Sequence, residues 1–437
     1  MDILVCAGLV FLLLFHSIII EKNYHNPLSI ILIIFSIVTI LATLKLYGLR
    51  DFDINIYYLI LVGCIFLSIG YCIFRFGNYK FTLGRRNNYR LETNYILRER
   101  GLKYITIAIA IFYSFIAVRV VISIVSSGMS TAYIRMVFAG GSEDEKIAYI
   151  FGSQFIKNVE LIVVRPAFFA ILVLAVVRFF RLGRVDLQIV GAMLATLFYT
   201  LTDFSRIVLI VLLVQILVCG ILTKKIKGKQ IMKRIKKHVL PISLILIISL
   251  YFLSNLRTSE SNVKTTGLEN LYSYFAIPLP LFAHYKEQLV SSGQHTYGIT
   301  FIKGFLNFIM TFLGRLGVSF PLFNRSTELI NNTQEFIYMF PNRTSNAFTT
   351  MFYYFYMDFG NIGVIVESFI YGAILGQTYG KIVKRGNNSD LMMAEYLLLI
   401  QSLVKSFTRW EFALMSYAMS FIVVLLFFKR SAQRSIL

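Results

Sequence analysis

Acidic residues are scarce in this chain. Its 437 residues hold 22 Asp and Glu against 43 Lys and Arg, a formal charge of +21, and only 15% of residues are charged at all. Cysteine is scarcer still: Cys6, Cys64, Cys72 and Cys219 all fall inside long apolar runs and share no ligand spacing. That excludes a disulfide-stapled domain and a zinc module. There is no P-loop, no dinucleotide fingerprint and no H-E-x-x-H, so nucleotide-driven and zinc-peptidase chemistry have no motif to rest on. No basic n-region precedes the first apolar run and no small-residue cleavage site follows it; the run reads as a retained span. Internal repeats, the mark of many transporters, are absent by eye.

What the chain does have is hydrophobic length. Apolar residues make up 57% of it, and many runs reach the roughly 18–20 residues that cross a bilayer. Helices satisfy their own backbone in lipid, and the segments lack the short alternation of a barrel. The expected fold is all-α, a polytopic transmembrane helical bundle of about eleven spans. They fall at residues 3–20, 28–46, 56–74, 104–125, 159–179, 187–201, 207–222, 239–253, 362–379, 391–406 and 412–428.

Basic loops set the orientation. Residues 78–103 and 224–237 are strongly basic, and Arg178, Arg181 and Arg184, Lys381, Lys384 and Arg385, and Lys429, Arg430 and Arg434 complete the set. Eleven spans place them all on one side, the cytoplasmic one, with the N-terminus outside and the C-terminus inside. The charge is then topological, and nucleic acid is not an expected partner. Two long loops, 126–158 and 254–361, face out. The chain divides into an N-terminal bundle over 1–253, a large extracytoplasmic loop over 254–361 and C-terminal helices over 362–437. Within the loop, 271–285 and 299–323 read as amphipathic helices lying on the membrane or packed over a cavity. Residues 346–359 read as a re-entrant or interfacial helix before the turn Gly360-Asn361-Ile362-Gly363.

Against this topology some cations stand out. Arg119, Arg165, Arg206 and Lys405 lie in or at the edges of apolar runs near the outer face, and Arg257 and Arg409 flank the same level. A cation in hydrocarbon is costly and is normally placed there for a partner. Several at one depth point to an anionic headgroup. A lipid-linked diphosphate fits, because the guanidinium fork makes two charge-assisted bonds and stays ionised. Arg135, Arg315 and Arg343 in the outer loops extend the set, as do Lys264 and Arg325; Asp358 and Glu367 complete the substrate-binding candidates. Blander readings stand beside this one. Asp203 can pair with Arg206 at helical spacing, Arg119 and Arg165 can snorkel, and Glu367 can neutralise one of them. A base for an attacking hydroxyl comes first from His284, with His295, Glu335, Asp358 and Glu367 as alternatives. Asp358 also reads as a turn residue bonding its own backbone.

Three local features carry a resemblance: Ser205-Arg206 opening a span, residues 254–257 leaving one, and residues 345–376, SNAFTTMFYYFYMDFGNIGVIVESFIYGAILG. With many spans and a large late outer loop, the chain resembles bacterial oligosaccharide repeat-unit polymerases, the Wzy-type O-antigen and capsule polymerases, and shares its plan with O-antigen ligases. The resemblance implies a GT-C-like fold and a multi-pass protein of the bacterial cytoplasmic membrane. It implies glycosyl transfer without metal or cofactor at the outer face. A glycan on polyprenyl diphosphate is the donor, a hydroxyl of a second lipid-linked repeat unit attacks the anomeric carbon, and polyprenyl diphosphate leaves. Arg206 and Arg257 would take catalytic roles and the other outer cations would hold the diphosphate; the resemblance does not fix the base, and His284 is the catalytic candidate chosen for it here. A chain-length regulator and a flippase are the implied partners. The alternatives are a ligase, or a flippase or exporter of lipid-linked sugars; the irregular sequence gathered on one side favours an enzyme.

Overall fold

The computed structural model describes residues 2–77, 95–139, 150–223, 267–341, 343–346, 348–384 and 389–430, with single positions between 241 and 248. The expected span 239–253 lies largely outside them, as do Arg257 and Lys264. The described chain is mostly helical. In order it runs α1 (Asp2–Ile20), α2 (Pro27–Thr43), α3 (Asn55–Phe76), β1 (Tyr95–Leu97), α4 (Glu99–Ser127), α5 (Thr131–Ala139) and α6 (Gln154–Leu182). Then come α7 (Leu187–Asp203), α8 (Ile207–Thr223), α9 (Gly267–Ala276), α10 (Pro278–Ser292), α11 (Ile299–Arg315) and α12 (Pro321–Asn332). A hairpin of β2 (Ile337–Phe340) and β3 (Arg343–Ser345) leads to α13 (Thr350–Phe359), α14 (Asn361–Lys384), α15 (Asp390–Lys405), α16 (Met415–Leu426) and β4 (Phe428–Arg430). Five helices, α1, α3, α4, α6 and α14, are long and apolar enough to cross a membrane; α2, α7, α8, α11 and α16 are shorter apolar helices.

Local chemistry sets several helix ends. The Asn26 side chain accepts from Ser29 N at 2.8 Å, and Pro27 takes the first helical position of α2, where its missing N–H costs nothing. Asp186 caps α7 by accepting from Ile189 N. In α6 the helix passes through a π-turn, Glu160–Val164, just before Pro166. Proline removes one donor from the ladder, and a widened turn absorbs the mismatch.

The contacts gather into two units. The first comprises Met1–Arg86, Val263–Lys384 and Gln401–Ala418. Its backbone is the pair α3 and α14, which approach through glycine. A Cβ at Gly372 would lie 2.1 Å from Leu67 O, and one at Gly376 would lie 2.3 Å from Tyr71 O. Gly372, Gly376 and Gly380 recur at four-residue spacing, the small-residue stripe that lets two helices touch backbone to backbone in lipid. Leu67 faces Gly372, Tyr71 faces Gly376 and Arg75 faces Gly380, so the two helices run parallel. At one end of this pair Glu21, following α1, accepts from Arg75 Nε at 2.7 Å and from the Tyr71 hydroxyl at 2.8 Å.

The outer-loop expectations meet three changes in this unit. The expected helix 271–285 is two helices, because Pro278 starts a new one at Ile277. The expected helix 299–323 stops at Arg315, and Gly317 at φ 81° turns the chain into α12. Of the two readings of 346–359, burial sets aside the interfacial one and leaves the re-entrant one: Thr350 through Asp358 are all buried. Phe, Tyr and Met cover every side of α13, and a helix apolar all round belongs in a core.

The second unit comprises Asn87–Asn262, Arg385–Ile400 and Met419–Leu437. Thr106 meets Gly191 and Tyr113 meets Tyr199, so α4 and α7 run parallel. Between them α6 runs the opposite way, with Phe168 at the level of Tyr113 and Tyr199 and Arg178 at the level of Glu99 and Asp186. One end of this unit gathers Glu99, Arg178, Arg181, Asp186 and Asp390 in an ion network, beside the antiparallel pair β1–β4. The other end holds Arg119, Glu160, Arg165 and Arg206.

Candidate functional site

In the first unit two of the expected cations meet. Lys405 ends α15, and the chain turns through Ser406–Trp410 into a 3-10 turn, Glu411–Ala413. Glu411 is completely buried. It accepts from Lys405 Nζ at 3.0 Å, from Gln401 Nε2 at 3.2 Å and from Arg409 Nε at 2.7 Å. Burial pushes the Glu411 carboxyl up, but the Lys405 and Arg409 charges outweigh it and hold the group at about 2. Lys405 is buried, whereas the Arg409 side chain keeps 38% exposure. Two cations share this one carboxylate.

Aromatic packing and backbone bonds hold this turn rigid. Trp410 Nε1 donates to Phe301 O at 2.8 Å, and its ring stacks on Phe301 and edges against Phe355 and Tyr371. Thr349 N donates to Thr408 O and Met351 N to Ser406 O. Between them Thr350 sits at φ 64°. A β-branched residue there stores about 1–3 kcal/mol of strain, the kind of outlier that concentrates at functional sites. Tyr354, one turn on, faces Arg409 and Glu411 and bonds Thr333.

Asp358 has a different occupation. It is completely buried and accepts from Thr300 N at 3.0 Å, Phe301 N at 2.8 Å and the Thr296 hydroxyl. It caps the N-terminus of α11 from across the fold. Glu367 is buried beside it and bonds its carboxyl. The local turn expected of Asp358 is replaced by this distant cap. Gly360 at φ 61° makes the corner into α14, where a Cβ on Gly363 would strike Phe355 O at 2.1 Å.

His284 lies half-buried on α10, its Nε2 3.1 Å from Gln288 Nε2. Burial lowers its imidazole, and the Arg50 charge lowers it further against Glu287 and Glu335. The neighbouring Tyr285 hydroxyl donates to Glu335 O at 3.3 Å, two residues from the Thr333 that bonds Tyr354. His284 and the Lys405–Glu411–Arg409 cluster thus border the same segment without touching each other directly. His295 Nδ1 lies 3.2 Å from Met357 O, and Arg325 donates to His295 O. Arg343 donates to the Ser273 hydroxyl at 3.0 Å.

In the second unit Arg165 makes a two-pronged ion pair with Glu160, Nε to Oε1 at 2.9 Å and Nη2 to Oε2 at 2.8 Å. The Tyr113 hydroxyl also donates to Glu160, at 3.0 Å. The π-turn stacks residue 165 over residue 160, a spacing an α-turn would not align. Arg165 also donates to Phe138 O, Arg119 Nε donates to Ile150 O, and the rings of Phe138 and Phe151 touch. Arg119 and Arg165 therefore flank one small segment. Arg206 is half-buried at the start of α8, where the chain breaks at Phe204 with φ 48°. The backbone puts Arg135 on α5 and Arg315 at the end of α11.

For Arg165, Lys405 and Arg409 the chain itself supplies an anion. Glu160 and Glu411 were not among the expected site residues. Glu160 stands five residues before its partner, and Glu411 stands two and six after its own. None of these spacings is a surface pair of a regular helix. Among the described residues no group of three His, Cys, Asp or Glu converges as metal ligands would.

The described chain is mostly helical, with five helices long and apolar enough to cross a membrane, which is compatible with an all-α membrane protein. Compared with protein-family models, curated proteins and solved structures, the chain matches none.

Proposed function

We propose that this protein is a glycosyltransferase of the bacterial cytoplasmic membrane that polymerises polyprenyl-diphosphate-linked oligosaccharide repeat units at the outer face. The observation that carries this is the Lys405–Glu411–Arg409 cluster. One carboxylate orients two cations, and a part-exposed guanidinium is left on a strained, aromatic-braced turn. A preorganised positive site of this kind stabilises charge that develops on a leaving diphosphate. Arg409 has the fork that such a group needs. His284 serves as base: its lowered pKa keeps the imidazole neutral and able to take the acceptor hydroxyl proton. Arg206 keeps the catalytic role that the resemblance implies for it.

Helix directions support the topology. Because α3 and α14 are parallel, an odd number of crossings must join the end of one to the start of the other. Five spans, 104–125 to 239–253, satisfy that count. The antiparallel run of α6 between α4 and α7 obeys the same order. With the basic loops taken as cytoplasmic, this order puts the N-terminus outside and the cluster at Lys405 at the outer face.

The test is purified protein in lipid nanodiscs with a defined polyprenyl-diphosphate repeat unit, assayed for a glycan ladder. Arg409→Ala and Arg206→Ala each lower turnover by about 10²–10³, the scale of losing one charge-stabilising donor, and EDTA has no effect. Full ladders from both variants would remove the arginines from the mechanism.

A further inference from the structure

Lys303 is a buried cation that the proposed chemistry does not use. It sits on α11, is 5% exposed, and makes no hydrogen bond or ion pair among the described residues. Its described contact is with the Phe323 ring of α12, whose centroid is 5.4 Å from Nζ. A ring face is a weak partner, worth about 0.5–1 kcal/mol at exposed sites and somewhat more when dry, and an ammonium out of water normally has a counter-charge. Burial lowers the Lys303 amine to about 7.

The surroundings indicate what is missing. On a 3.6-residue repeat, Thr300, Lys303, Asn307 and Thr311 fall on one face of α11. That face meets α12, where Ser326 lies 2.9 Å from the Thr300 hydroxyl and Phe323 covers Lys303. Farther along, a groove of about 320 Å³ is lined by Met310, Thr311, Phe320, Phe323 and Asn324. The opposite face of α11 exposes Ile302, Phe305, Phe308, Ile309 and Phe312, a stripe suited to lipid. A groove of mixed polar and apolar lining and the Lys303 ammonium thus share Phe323, on the side of α11 away from its exposed apolar stripe.

We propose that the α11–α12 groove binds the phosphate of a membrane-embedded phosphorylated lipid, with the Lys303 ammonium as its counter-charge and the Thr311 hydroxyl and Asn324 amide at its mouth. The exposed apolar stripe would lie against the lipid's chains while the phosphate enters between the helices and Lys303 turns from Phe323 to meet it. This site is separate from the Lys405–Glu411–Arg409 cluster and requires no glycosyl transfer.

The experiment is competitive amine labelling of the full chain in dodecyl maltoside, a phosphate-free detergent, with Lys303 followed by peptide mass spectrometry across pH. Lys303 is expected to titrate near pH 7 without added lipid. Dioleoyl phosphatidate should raise that midpoint and slow labelling at pH 7.5 by about threefold, the effect on the reactive free amine of a rise of about one unit from about 7. Inorganic phosphate at the same concentration should do neither. A midpoint near the ordinary lysine value, or labelling indifferent to phosphatidate, would overturn the proposal. Equal protection by inorganic phosphate would overturn its assignment to a lipid. Native mass spectrometry supplies a second reading: Lys303→Met, which removes the buried charge and keeps the side-chain length, should lose the phosphatidate adduct, and Lys303→Arg should keep it. Retention by Lys303→Met would equally sink the site.

Discussion

Glu411 shows how one side chain can organise a site. Alone in the interior it would be protonated; between Lys405 and Arg409 it is held at about 2. The sign of its contribution follows. Its folded pKa lies below the ordinary 4.5, so its stabilisation is complete above pH 4.5 and disappears as pH falls from there towards 2. Glu411→Gln abolishes that acid-sensitive component and leaves two cations facing a neutral amide. The expected cost is about 3–5 kcal/mol, read as a lower Tm of the purified protein at pH 7; an unchanged Tm would mean that the cluster is solvated in lipid. His284 gives a second pH signature. With its pKa below 6.5, the acid limb of kcat/KM should fall below that pH, and His284→Gln should remove activity while substrate binding persists. A limb centred well above 6.5 would assign the base to another group.

At the scale of elements, the pair α3 and α14 depends on backbone contact rather than on side-chain fit. Any Cβ at Gly376 enters the space of Tyr71 O, so Gly376→Leu must push the helices apart. Loss of the monodisperse peak in size-exclusion chromatography, or a Tm fall of several degrees, is expected; wild-type behaviour would show that the close approach is dispensable. Helix positions in the described residues were legible because apolar length and charge punctuation are local: every expected span there coincides with a helix. The burial of α13 was less legible. Its aromatic sequence suits an interface as well as a core, and what decides between them is the set of helices packed around it.

For the whole molecule, the parallel and antiparallel senses of the helices fit the order of crossings and hold for either face outward, so orientation needs its own measurement. The native cysteines are buried or half-buried, so an introduced exposed thiol can be read over a low background. Asn331→Cys should react with a membrane-impermeant maleimide in intact spheroplasts, and Arg184→Cys only after lysis. The reverse pattern would invert the topology and move the Lys405 cluster to the cytoplasmic side.

The candidate site divides in the same way. That Arg165, Lys405 and Arg409 are unusual follows from hydropathy alone, because a cation in an apolar run is costly wherever the chain goes. Their counter-ions come from a π-turn at Glu160 and a tight turn at Glu411, whose geometry appears only when the backbone is built. The unmatched ammonium of Lys303 depends on Phe323, twenty residues away, folding over it. Composition and periodicity decided helix type and the positions of the long apolar helices, since these depend on neighbours within one or two turns. Tertiary structure alone decided which charges are compensated, because desolvation and pairing depend on distance in space rather than on separation along the chain.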